Sequence, residues 1–242
     1  MPDGITILIA DSRRLPLTES YDTVLSLLPD AEKQRAERYL RQEDRVRCAV
    51  GAFLIRHSIS QTAGCANSLS GVRIARTEYG KPYAEGCHDL YFSLSHSGSM
   101  IVYTQASQEI GIDVEEIHDT DISDFSGFLN GQERKRIAAA DDPLTEFYRI
   151  WTVKESFAKK EGTGLSLFEK ENADIDYDNG QVLFRRTKSA VKTILLDRHI
   201  LSVCTDGDMP AVVPCLISPD EWEKMLSSAL TQMRYRSSHG AH

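Results

Sequence analysis

Hydrophobic positions along the chain repeat with two periods, one typical of helices and one typical of strands. The clearest helical pattern spans residues 43–58, where apolar side chains recur at i, i+4, i+7 and i+8 and form one core-facing stripe: Val46, Val50, Phe53 and Leu54. The pattern also predicts a helix over residues 30–40, with Asp30 as its N-cap. Two more helices are predicted in the second half, near residues 132–140 and over residues 146–161.

Short apolar runs bounded by polar and turn residues predict the strands. The predicted strands cover residues 6–10, 72–76, 91–95, 99–105, 110–115, 173–177, 181–186, 199–204 and 211–216. Each half of the chain places helices first and antiparallel strands afterwards, which is typical of an α+β fold. No sequence repeat strong enough to show internal duplication is visible, and no linker rich in Pro, Gly or Ser marks a boundary.

Length and composition indicate a globular protein with a substantial core. With 242 residues, 41% of them hydrophobic, the chain is long enough for one large domain or two of half that size. No apolar run approaches the ~20 residues that a membrane helix needs. The apolar run at residues 5–10 is too short for the core of a signal peptide, and Asp3 precedes it instead of a basic segment. These features predict a cytoplasmic protein that does not bind a membrane.

Charge and cysteine content disfavour two further kinds of site. The formal net charge is −8, and this acidity argues against nonspecific binding of nucleic acid, which needs a basic face. The five cysteines are odd in number, widely spaced and without a Cys-x-x-Cys pair. The sequence therefore predicts neither a disulfide framework nor a zinc site, and the cysteines are interpreted as core or surface thiols.

Two motifs about forty residues apart carry the candidate chemistry. In Gly-Ile-Asp-Val-Glu, Asp113 and Glu115 share one face of a strand, because side chains alternate with a period of two. In Trp-Thr-Val-Lys-Glu-Ser-Phe-Ala-Lys, Glu155 and Lys159 share one face of a helix. If the two elements meet, three carboxylates and one ammonium converge. Such a set suits Mg²⁺ bound to a phosphate or a pyrophosphate.

Each of these features also has a simpler interpretation when it is taken alone. An Asp-x-Glu sequence at a strand end is commonly a solvated turn, and a Glu-to-Lys pair at i,i+4 is commonly an exposed helix pair worth about 0.2–0.5 kcal/mol. Arg41 and Arg45 flank the apolar stripe of the second helix and are interpreted as solvated. A lone histidine such as His96 is more often structural than a ligand, and Lys81 before Pro82 fits an ordinary turn.

Together and in this order, the two motifs resemble the signature motifs of the Sfp-type 4′-phosphopantetheinyl transferases of broad specificity. The match continues through Lys-Glu-Gly-Thr-Gly-Leu-Ser at residues 160–166. In the first half, the segments at residues 78–83 (Glu-Tyr-Gly-Lys-Pro-Tyr) and 92–98 (Phe-Ser-Leu-Ser-His-Ser-Gly) are similar to the family's Gly-Lys-Pro and Ser-His-Ser elements. Many members carry Asn where this chain has Ser93, which leaves the role of Ser93 open. The resemblance covers roughly residues 30–170.

The resemblance implies an α+β fold of two similar subdomains related by a pseudo-twofold axis, each with helices packed on a mainly antiparallel sheet. It places the first subdomain at residues 1–109, with contacts to the phosphates and the adenine of coenzyme A. The second subdomain, at residues 110–242, carries the metal and catalytic motifs. A cleft between two such halves is a common location for a ligand. Because one chain builds the whole cleft, a monomer is expected.

The resemblance also implies which residues bind coenzyme A. They are Arg38, Arg47, Lys81, Pro82, Ser95, His96 and Lys159. A planar guanidinium matches phosphate oxygens, so Arg38 and Arg47 suit the 3′-phosphate of coenzyme A, whereas Arg35 aligns less well. The polar turn at Ser95 and His96 belongs to the same phosphate site, and the Lys81-Pro82 segment lies along the adenine nucleotide.

The metal ligands and catalytic residues are implied in the same way. Asp113, Glu115 and Glu155 are expected to hold Mg²⁺, with Mn²⁺ as an alternative. Lys159 is expected to contact the pyrophosphate. The catalytic residues are Glu155, Asp113 and Lys159, with Glu155 favoured over Asp113 as the base that takes a serine proton directly or through water.

The implied activity is transfer of the 4′-phosphopantetheine arm of coenzyme A to a serine of an acyl-carrier or peptidyl-carrier protein. This reaction converts the apo carrier to the holo form and releases adenosine 3′,5′-bisphosphate. An alternative is a metal-dependent phosphohydrolase, which uses the same carboxylates with water on a nucleotide or a coenzyme A-like pyrophosphate. A noncatalytic coenzyme A-binding module has no need for a full metal cluster. The expected partners are coenzyme A and carrier domains, without nucleic acid or membrane.

Overall fold

Two large β-sheets with helices packed on them form the fold, as seen in a computed structural model that describes residues 4–165, 168 and 173–239. The helices are α1 (Tyr21–Ser26), α2 (Asp30–Glu37), α3 (Gln42–Ser60), α4 (Gly131–Ala139), α5 (Pro143–Glu161) and α6 (Pro219–His239). The strands are β1 (Gly4–Asp11), β2 (Ile74–Arg76), β3 (Pro82–Ala84), β4 (Tyr91–Ser97), β5 (Met100–Ala106), β6 (Ile110–Glu116), β7 (Asp174–Asp176), β8 (Gln181–Phe184), β9 (Thr187–Leu196), β10 (His199–Asp206) and β11 (Ala211–Leu216). Ser166, the last residue of the motif that begins at Lys160, lies outside the described residues. Among the described residues, no helix is both long and apolar enough to span a membrane.

The first sheet has the strand order β11-β1-β5-β4. Strand β5 runs antiparallel to both β1 and β4, whereas β1 and β11 are parallel. Helix α3 packs on this sheet because Phe53 and Leu54, from its predicted apolar stripe, are buried in one cluster with Phe92 and Tyr103. Trp222 of α6 packs edge-on against Phe53, with the ring centroids 5.5 Å apart. The end of the chain thus completes the core of the first sheet.

The second sheet has the strand order β6-β10-β9-β8-β7 and is antiparallel throughout. Helix α5 lies across this sheet. Val153 and Phe157, one helical turn apart, are buried against Val182 and Phe184 of β8 and Cys204 of β10. This apolar contact fixes the rotation of α5 about its own axis, because the i,i+4 pair must face the sheet.

A third apolar cluster joins the two sheets. It is formed by buried side chains of β1 and β5 from the first sheet and of β6 and β10 from the second: Ile5, Ile7, Ile9, Met100, Val102, Ile110, Ile112, Val114, Leu201 and Val203. Burial of a single aliphatic side chain of this size contributes roughly 1.5–3 kcal/mol. The shared cluster therefore holds the two halves together and sets β4 beside β6, the strands that carry the Ser-His-Ser and Asp-x-Glu elements.

Helix α5 approaches β6 very closely at Gly111. A Cβ atom on Gly111 would lie 2.0 Å from the carbonyl oxygen of Ser156 and 2.5 Å from the backbone nitrogen of Lys160. Only glycine fits at this position without moving the helix backbone. The close approach brings Glu155 and Lys159 of α5 next to the strand that carries the Asp-x-Glu element.

The predicted α+β class with two similar, mainly antiparallel subdomains is confirmed. The predicted helices and strands are present, with their ends shifted by a few residues, but α1, α6, β3 and β9 are absent from the prediction. Asp30 is wrong as the N-cap, because Pro29 takes that position with extended backbone and Asp30 begins the helix. The boundary between residues 109 and 110 stays a prediction. It does not separate the two sheets completely, because β11, from the second half of the chain, pairs with β1 in the first sheet.

The structure also corrects the prediction that the cysteines are core or surface thiols. Cys65 and Cys87 form a disulfide, with their Cα atoms 5.1 Å apart, whereas Cys48, Cys204 and Cys215 are free. The prediction that the cysteines are all thiols is therefore wrong for this pair. An odd number and a wide spacing reveal nothing about two loops that meet only in the folded chain.

A buried ion pair links α4 to α5. The ammonium of Lys154 donates to both carboxylate oxygens of Glu133, at 3.0 and 2.9 Å, and the two side chains are only 5% and 3% exposed. Tyr177 also donates to Glu133, at 2.5 Å, and the backbone N–H of Asn130 donates at 2.7 Å in a capping box. Glu133 is therefore satisfied only while its partners remain in place.

We expect Lys154→Met to lower the free energy of unfolding by about 3–5 kcal/mol, because the Glu133 carboxylate would stay buried without its counter-charge. The double variant Lys154→Met/Glu133→Gln should recover part of this loss. Urea denaturation followed by circular dichroism measures both. Lys135→Met on the exposed side of α4 is the control, with a change within ~0.5 kcal/mol. A Lys154→Met protein as stable as the wild type would contradict the role of the pair.

Candidate active site

A cavity of about 510 Å³ is lined by residues from both halves of the chain. One wall is formed by β6 and α5, and the opposite part by α2, α3 and the β2–β3 hairpin. Residues of β4 line it as well. The cavity thus lies where the close approach of α5 to β6 and the pairing of the two sheets bring the sequence motifs together.

Asp113 is the centre of the acidic wall. Its side chain is buried, and one oxygen, Oδ1, accepts hydrogen bonds from Ser95 Oγ at 2.8 Å and from Lys159 Nζ at 2.6 Å. Lys159 Nζ also donates to Ser95 Oγ at 2.8 Å. Glu115 and Glu155 line the same cavity. The structure therefore brings together the three carboxylates and the ammonium that the two motifs predict.

Three alternate serines of β4 connect the first sheet to β6. Ser93 Oγ accepts a hydrogen bond from the backbone N–H of Ile112 at 3.0 Å. The neighbouring hydrogen bond is the one that Ser95 donates to the Asp113 carboxylate. Ser97 Oγ donates to Glu115 Oε2 at 2.7 Å. Ser93, whose role the sequence leaves open, thus fixes the β6 backbone beside Asp113 and does not bond to a carboxylate.

The carboxylates carry more negative charge than Lys159 can balance. The pKa of Glu155 is raised from 4.5 to about 7, mainly by burial and then by the charge of Asp113. The pKa of Glu115 is also raised, again by burial first and then by Asp113. The second carboxylate oxygen of Asp113, Oδ2, is buried and has no hydrogen-bond partner among the described residues.

These observations test whether the three residues suit a metal ion. A buried unpartnered carboxylate oxygen beside two carboxyl groups with raised pKa values is a set of hard oxygen donors that a divalent cation would stabilise. The residues therefore fit Mg²⁺. In the part of the chain that the structure describes, no three acidic, histidine or cysteine side chains are already arranged as a closed metal site. The assignment of Asp113, Glu115 and Glu155 as ligands stays a prediction.

We expect Glu155→Gln to stabilise the metal-free protein at pH 8. Because the pKa of this acid rises from 4.5 to about 7 on folding, ionisation costs stability, and the cost grows from pH 4.5 until it is complete above pH 7. Its removal is worth on the order of 2–3 kcal/mol, or roughly 5 °C in Tm. At pH 5 the gain should shrink to about 1 kcal/mol or less.

Thermal unfolding in the presence of a chelator measures this effect at both pH values. Glu223→Gln, an exposed change on α6, is the matched control and should leave Tm unchanged. A gain that is the same at pH 5 and pH 8 would contradict the proposed electrostatic origin.

The Gly-Lys-Pro and Ser-His elements line the same cavity through Lys81, Pro82 and His96. Lys81 Nζ donates to the carboxylate of Glu109 and to the carbonyl oxygen of Lys160, and so ties the β2–β3 hairpin to the end of α5. The pKa of His96 is lowered, first by loss of hydration and then by the positive charges around it. His96 is therefore predominantly neutral at pH 7.

Known proteins match both halves of this chain. Residues 14–108 match the family described as 4′-phosphopantetheinyl transferase, N-terminal, and residues 109–204 match the 4′-phosphopantetheinyl transferase superfamily. The 4′-phosphopantetheinyl transferase gsp of Aneurinibacillus migulanus is 32% identical over 182 residues, which are 72% of this chain and 75% of that protein. This chain belongs to the 4′-phosphopantetheinyl transferase family. The resemblance inferred from the motifs is confirmed.

Two further phosphopantetheinyl transferases show how far the similarity extends. The 4′-phosphopantetheinyl transferase Sfp of Bacillus subtilis (strain 168) is 34% identical over 151 residues, or 62% of this chain and 66% of that protein. The L-aminoadipate-semialdehyde dehydrogenase-phosphopantetheinyl transferase of Schizosaccharomyces pombe (strain 972 / ATCC 24843) is 27% identical over 191 residues, or 68% and 72%. The chain thus spans just under two thirds of the Bacillus subtilis protein. The family uses coenzyme A and acts on carrier proteins, and a divalent metal is typical of it.

The predicted site residues of this chain divide into two groups. Those that line the cavity are Lys81, Pro82, Ser95, His96, Asp113, Glu115, Glu155 and Lys159. Arg38 and Arg47 are not among the lining residues. Arg47 instead donates to the carbonyl oxygen of Gly98 at 2.7 Å and to Asp44 at 2.5 Å, so it holds the β4–β5 turn next to His96. Arg38 lies exposed just after α2.

The guanidinium groups that line the cavity belong to Arg35 and Arg76. The pKa of Arg76 is lowered, first by partial burial and then by the nearby charge of Arg35. Sequence reasoning gave Arg35 little weight and missed Arg76. No local pattern marks Arg76, because it comes beside the Gly-Lys-Pro element only through its pairing with Pro82 across the β2–β3 hairpin.

Proposed function

We propose that this chain transfers the 4′-phosphopantetheine arm of coenzyme A to a serine of an acyl-carrier or peptidyl-carrier protein. The carrier changes from apo to holo, and adenosine 3′,5′-bisphosphate is released. The observation that supports this proposal is the convergence of Asp113, Glu115, Glu155 and Lys159 in one cavity with the Gly-Lys-Pro and Ser-His elements. Membership of the family supports it independently.

The charges of the cavity suggest how coenzyme A binds. Arg35 and Arg76 present two guanidinium groups that suit the phosphates of the adenosine end. Tyr79, on the same hairpin and 70% exposed, offers an aromatic face for a base. In this arrangement His96 also lies at the phosphate site, and phosphate binding would favour its protonated form. The pyrophosphate would then lie along the wall that α5 and β6 form.

Asp113, Glu115 and Glu155 would hold Mg²⁺, with Mn²⁺ as an alternative. When bound, the ion neutralises charge on the pyrophosphate and on the leaving phosphate. Lys159 is 32% exposed at the side chain and already donates into this cluster. Its ammonium can therefore reach a pyrophosphate oxygen and stabilise the charge that develops as the bisphosphate leaves.

The transfer step forms one phosphorus–oxygen bond, breaks another and moves one proton. The serine oxygen of the carrier bonds to the β-phosphorus of coenzyme A, and the bond from that phosphorus to the bisphosphate oxygen breaks. The serine proton passes to Glu155, directly or through water. A pKa of about 7 suits a general base near neutral pH, although tight coordination of the same carboxylate would weaken it as a base.

Three further properties are proposed with the activity. The 109/110 boundary separates a nucleotide-binding half from a half that carries the acidic cluster. One chain lines the whole cavity, which supports a monomer. The formal charge of −8 supports the absence of nucleic-acid binding, and a cytoplasmic location goes with carrier proteins as partners. The phosphohydrolase alternative has no support in the comparisons.

Intact-protein mass spectrometry tests the proposed activity. An apo carrier protein is incubated with this protein, coenzyme A and Mg²⁺, and a serine-to-alanine carrier is the control. We expect a mass gain of one phosphopantetheinyl group on the serine carrier alone, and none when a chelator is added. No gain across several acyl-carrier and peptidyl-carrier proteins, with release of the bisphosphate in the absence of any carrier, would favour the phosphohydrolase instead.

A further inference from the structure

The disulfide between Cys65 and Cys87 lies outside the acidic cluster and has no part in the proposed reaction. Its Cα separation of 5.1 Å is within the range of native disulfides. Each cysteine follows a glycine with a left-handed backbone, Gly64 at φ +83° and Gly86 at φ +76°. Such turns bring the two loops together at positions where other residues would be strained. Both cysteines are only partly buried, so small thiols and disulfides can reach them.

The disulfide closes a loop that contains the β2–β3 hairpin. This hairpin is a separate two-stranded sheet with three residues in each strand, and a two-stranded hairpin alone is at best marginally stable in water. Arg76, Tyr79, Lys81 and Pro82 all belong to it and line the cavity. Their positions therefore depend on what holds the hairpin to the rest of the protein.

The anchors of this loop differ on its two sides. On the incoming side, buried Arg56 donates to the carbonyl oxygens of Leu69, at 3.0 Å, and Val72, at 2.6 Å. At the tip, Lys81 bonds to the other half of the chain. On the returning side, just after β3, the covalent bond of Cys87 fixes the chain to Cys65 in the loop that follows α3. Cleavage of this bond would remove the covalent anchor of the returning side and leave it held by weaker contacts, such as the packing of Ala84 in the core.

We propose that Cys65 and Cys87 form a reversible redox-modification site that controls how firmly the β2–β3 hairpin is held against the cavity. The hairpin carries Arg76, so the disulfide form binds adenosine 3′,5′-bisphosphate more tightly than the dithiol form. This second statement rests on the proposed function. In a reducing compartment the dithiol form is expected, since disulfides are rare there, and an oxidising change converts it to the disulfide.

The oxidant in this reaction is a low-molecular-weight disulfide such as oxidised glutathione. The thiolate of one cysteine attacks a sulfur of the glutathione disulfide and releases one glutathione thiolate. The thiolate of the second cysteine then attacks the protein sulfur of the mixed disulfide and releases the second glutathione. The two cysteines lose two electrons and two protons, and one glutathione disulfide becomes two thiols.

The experiment compares the full chain after equilibration with oxidised glutathione and after reduction. Alkylation under denaturing conditions, followed by intact mass, should add five groups to the reduced protein; in the oxidised protein, alkyl groups and bound glutathione together should account for only three cysteines, because the chain has five cysteines and three are free in the structure. Hydrogen exchange of residues 74–84 should be faster in the reduced form. Adenosine 3′,5′-bisphosphate, which carries no thiol of its own, should bind the reduced form about tenfold more weakly by calorimetry.

Two variants complete the test. The double variant Cys65→Ser/Cys87→Ser should match the reduced wild type under both conditions. Cys215→Ser, a free and exposed cysteine on β11, should keep the full redox response. Five alkyl groups after both treatments would overturn the site, and equal exchange of residues 74–84 in the two forms would overturn its coupling to the hairpin. If the bisphosphate binds neither form, the proposed function fails, while thiol counting and exchange still decide the redox site.

Discussion

Asp113→Asn should lower the rate of carrier modification by roughly 1,000-fold or more while the protein stays folded. Asparagine has the shape of aspartate and can still accept hydrogen bonds from Ser95 and Lys159 at one oxygen. It loses the negative charge and the second carboxylate oxygen, which is the buried Oδ2 atom without a partner among the described residues. The variant therefore tests the metal-binding role with little change in shape.

Initial rates from the mass assay at saturating Mg²⁺, together with the circular dichroism spectrum, measure this effect. Asp208→Asn, at a fully exposed side chain beyond β10, is the matched control and should keep its rate within about twofold. The charge of Asp113 raises the pKa of Glu155, so Asp113→Asn should also lower that pKa. A wild-type rate for Asp113→Asn would exclude Asp113 as a required metal ligand.

Gly111→Ala should destabilise the protein by about 3 kcal/mol or more. The added Cβ would lie 2.0 Å from the Ser156 carbonyl oxygen and 2.5 Å from the Lys160 nitrogen. Both atoms belong to the helix backbone and cannot move as a flexible side chain can, so α5 must shift away from β6. Because α5 carries Glu155 and Lys159, the protein that remains folded should also lose activity.

Chemical denaturation and the mass assay, run on the same preparations, check this prediction. Gly131→Ala is the control, since a Cβ there meets no atom within 4 Å and the position begins α4. Alanine in a helix lowers the entropy of the unfolded chain, so this control should be neutral or stabilising by up to ~1 kcal/mol. Equal stability of Gly111→Ala and Gly131→Ala would show that α5 does not depend on the close approach.

Local periodicity was sufficient to identify the acidic half of the candidate site. Asp113 and Glu115 lie two residues apart on a strand, and Glu155 and Lys159 lie four apart on a helix, so each pair shares a face whatever the fold. All four line the cavity. The catalytic and metal-binding roles of these residues stay predictions, because only chemistry can assign them.

The cationic half of the site could not be predicted in the same way. Arg38 and Arg47 lie on or beside helices near the cavity, yet Arg47 bonds to Asp44 and the β4–β5 turn. Arg76 reaches the cavity because a short hairpin folds back beside Pro82. A guanidinium group on a long side chain can bind whichever acceptor the fold brings near it. The spacing of residues in the sequence does not reveal that acceptor.

Two features missed in the fold have different causes. Helix α6 shows apolar residues at helical spacing, at Trp222, Met225, Leu226, Ala229 and Leu230, so its signal was present and unused. Strand β9 carries several polar residues, Thr187, Lys188 and Lys192 among them. Its identity as a central strand follows from pairing with β8 and β10, which no local pattern contains.

The sequence by itself determined the α+β class, most of the helices and strands, the family, and the faces on which the four acidic-site side chains lie. These properties depend on backbone periodicity and short motifs, which act over a few residues. The tertiary structure alone decided the contact of α5 with Gly111, the presence of Arg35 and Arg76 in the cavity lining, the pairing of β11 with β1, and the Cys65–Cys87 disulfide. Each of these contacts joins segments that are distant in sequence. Their interaction energies therefore contribute only once the two sheets have packed together.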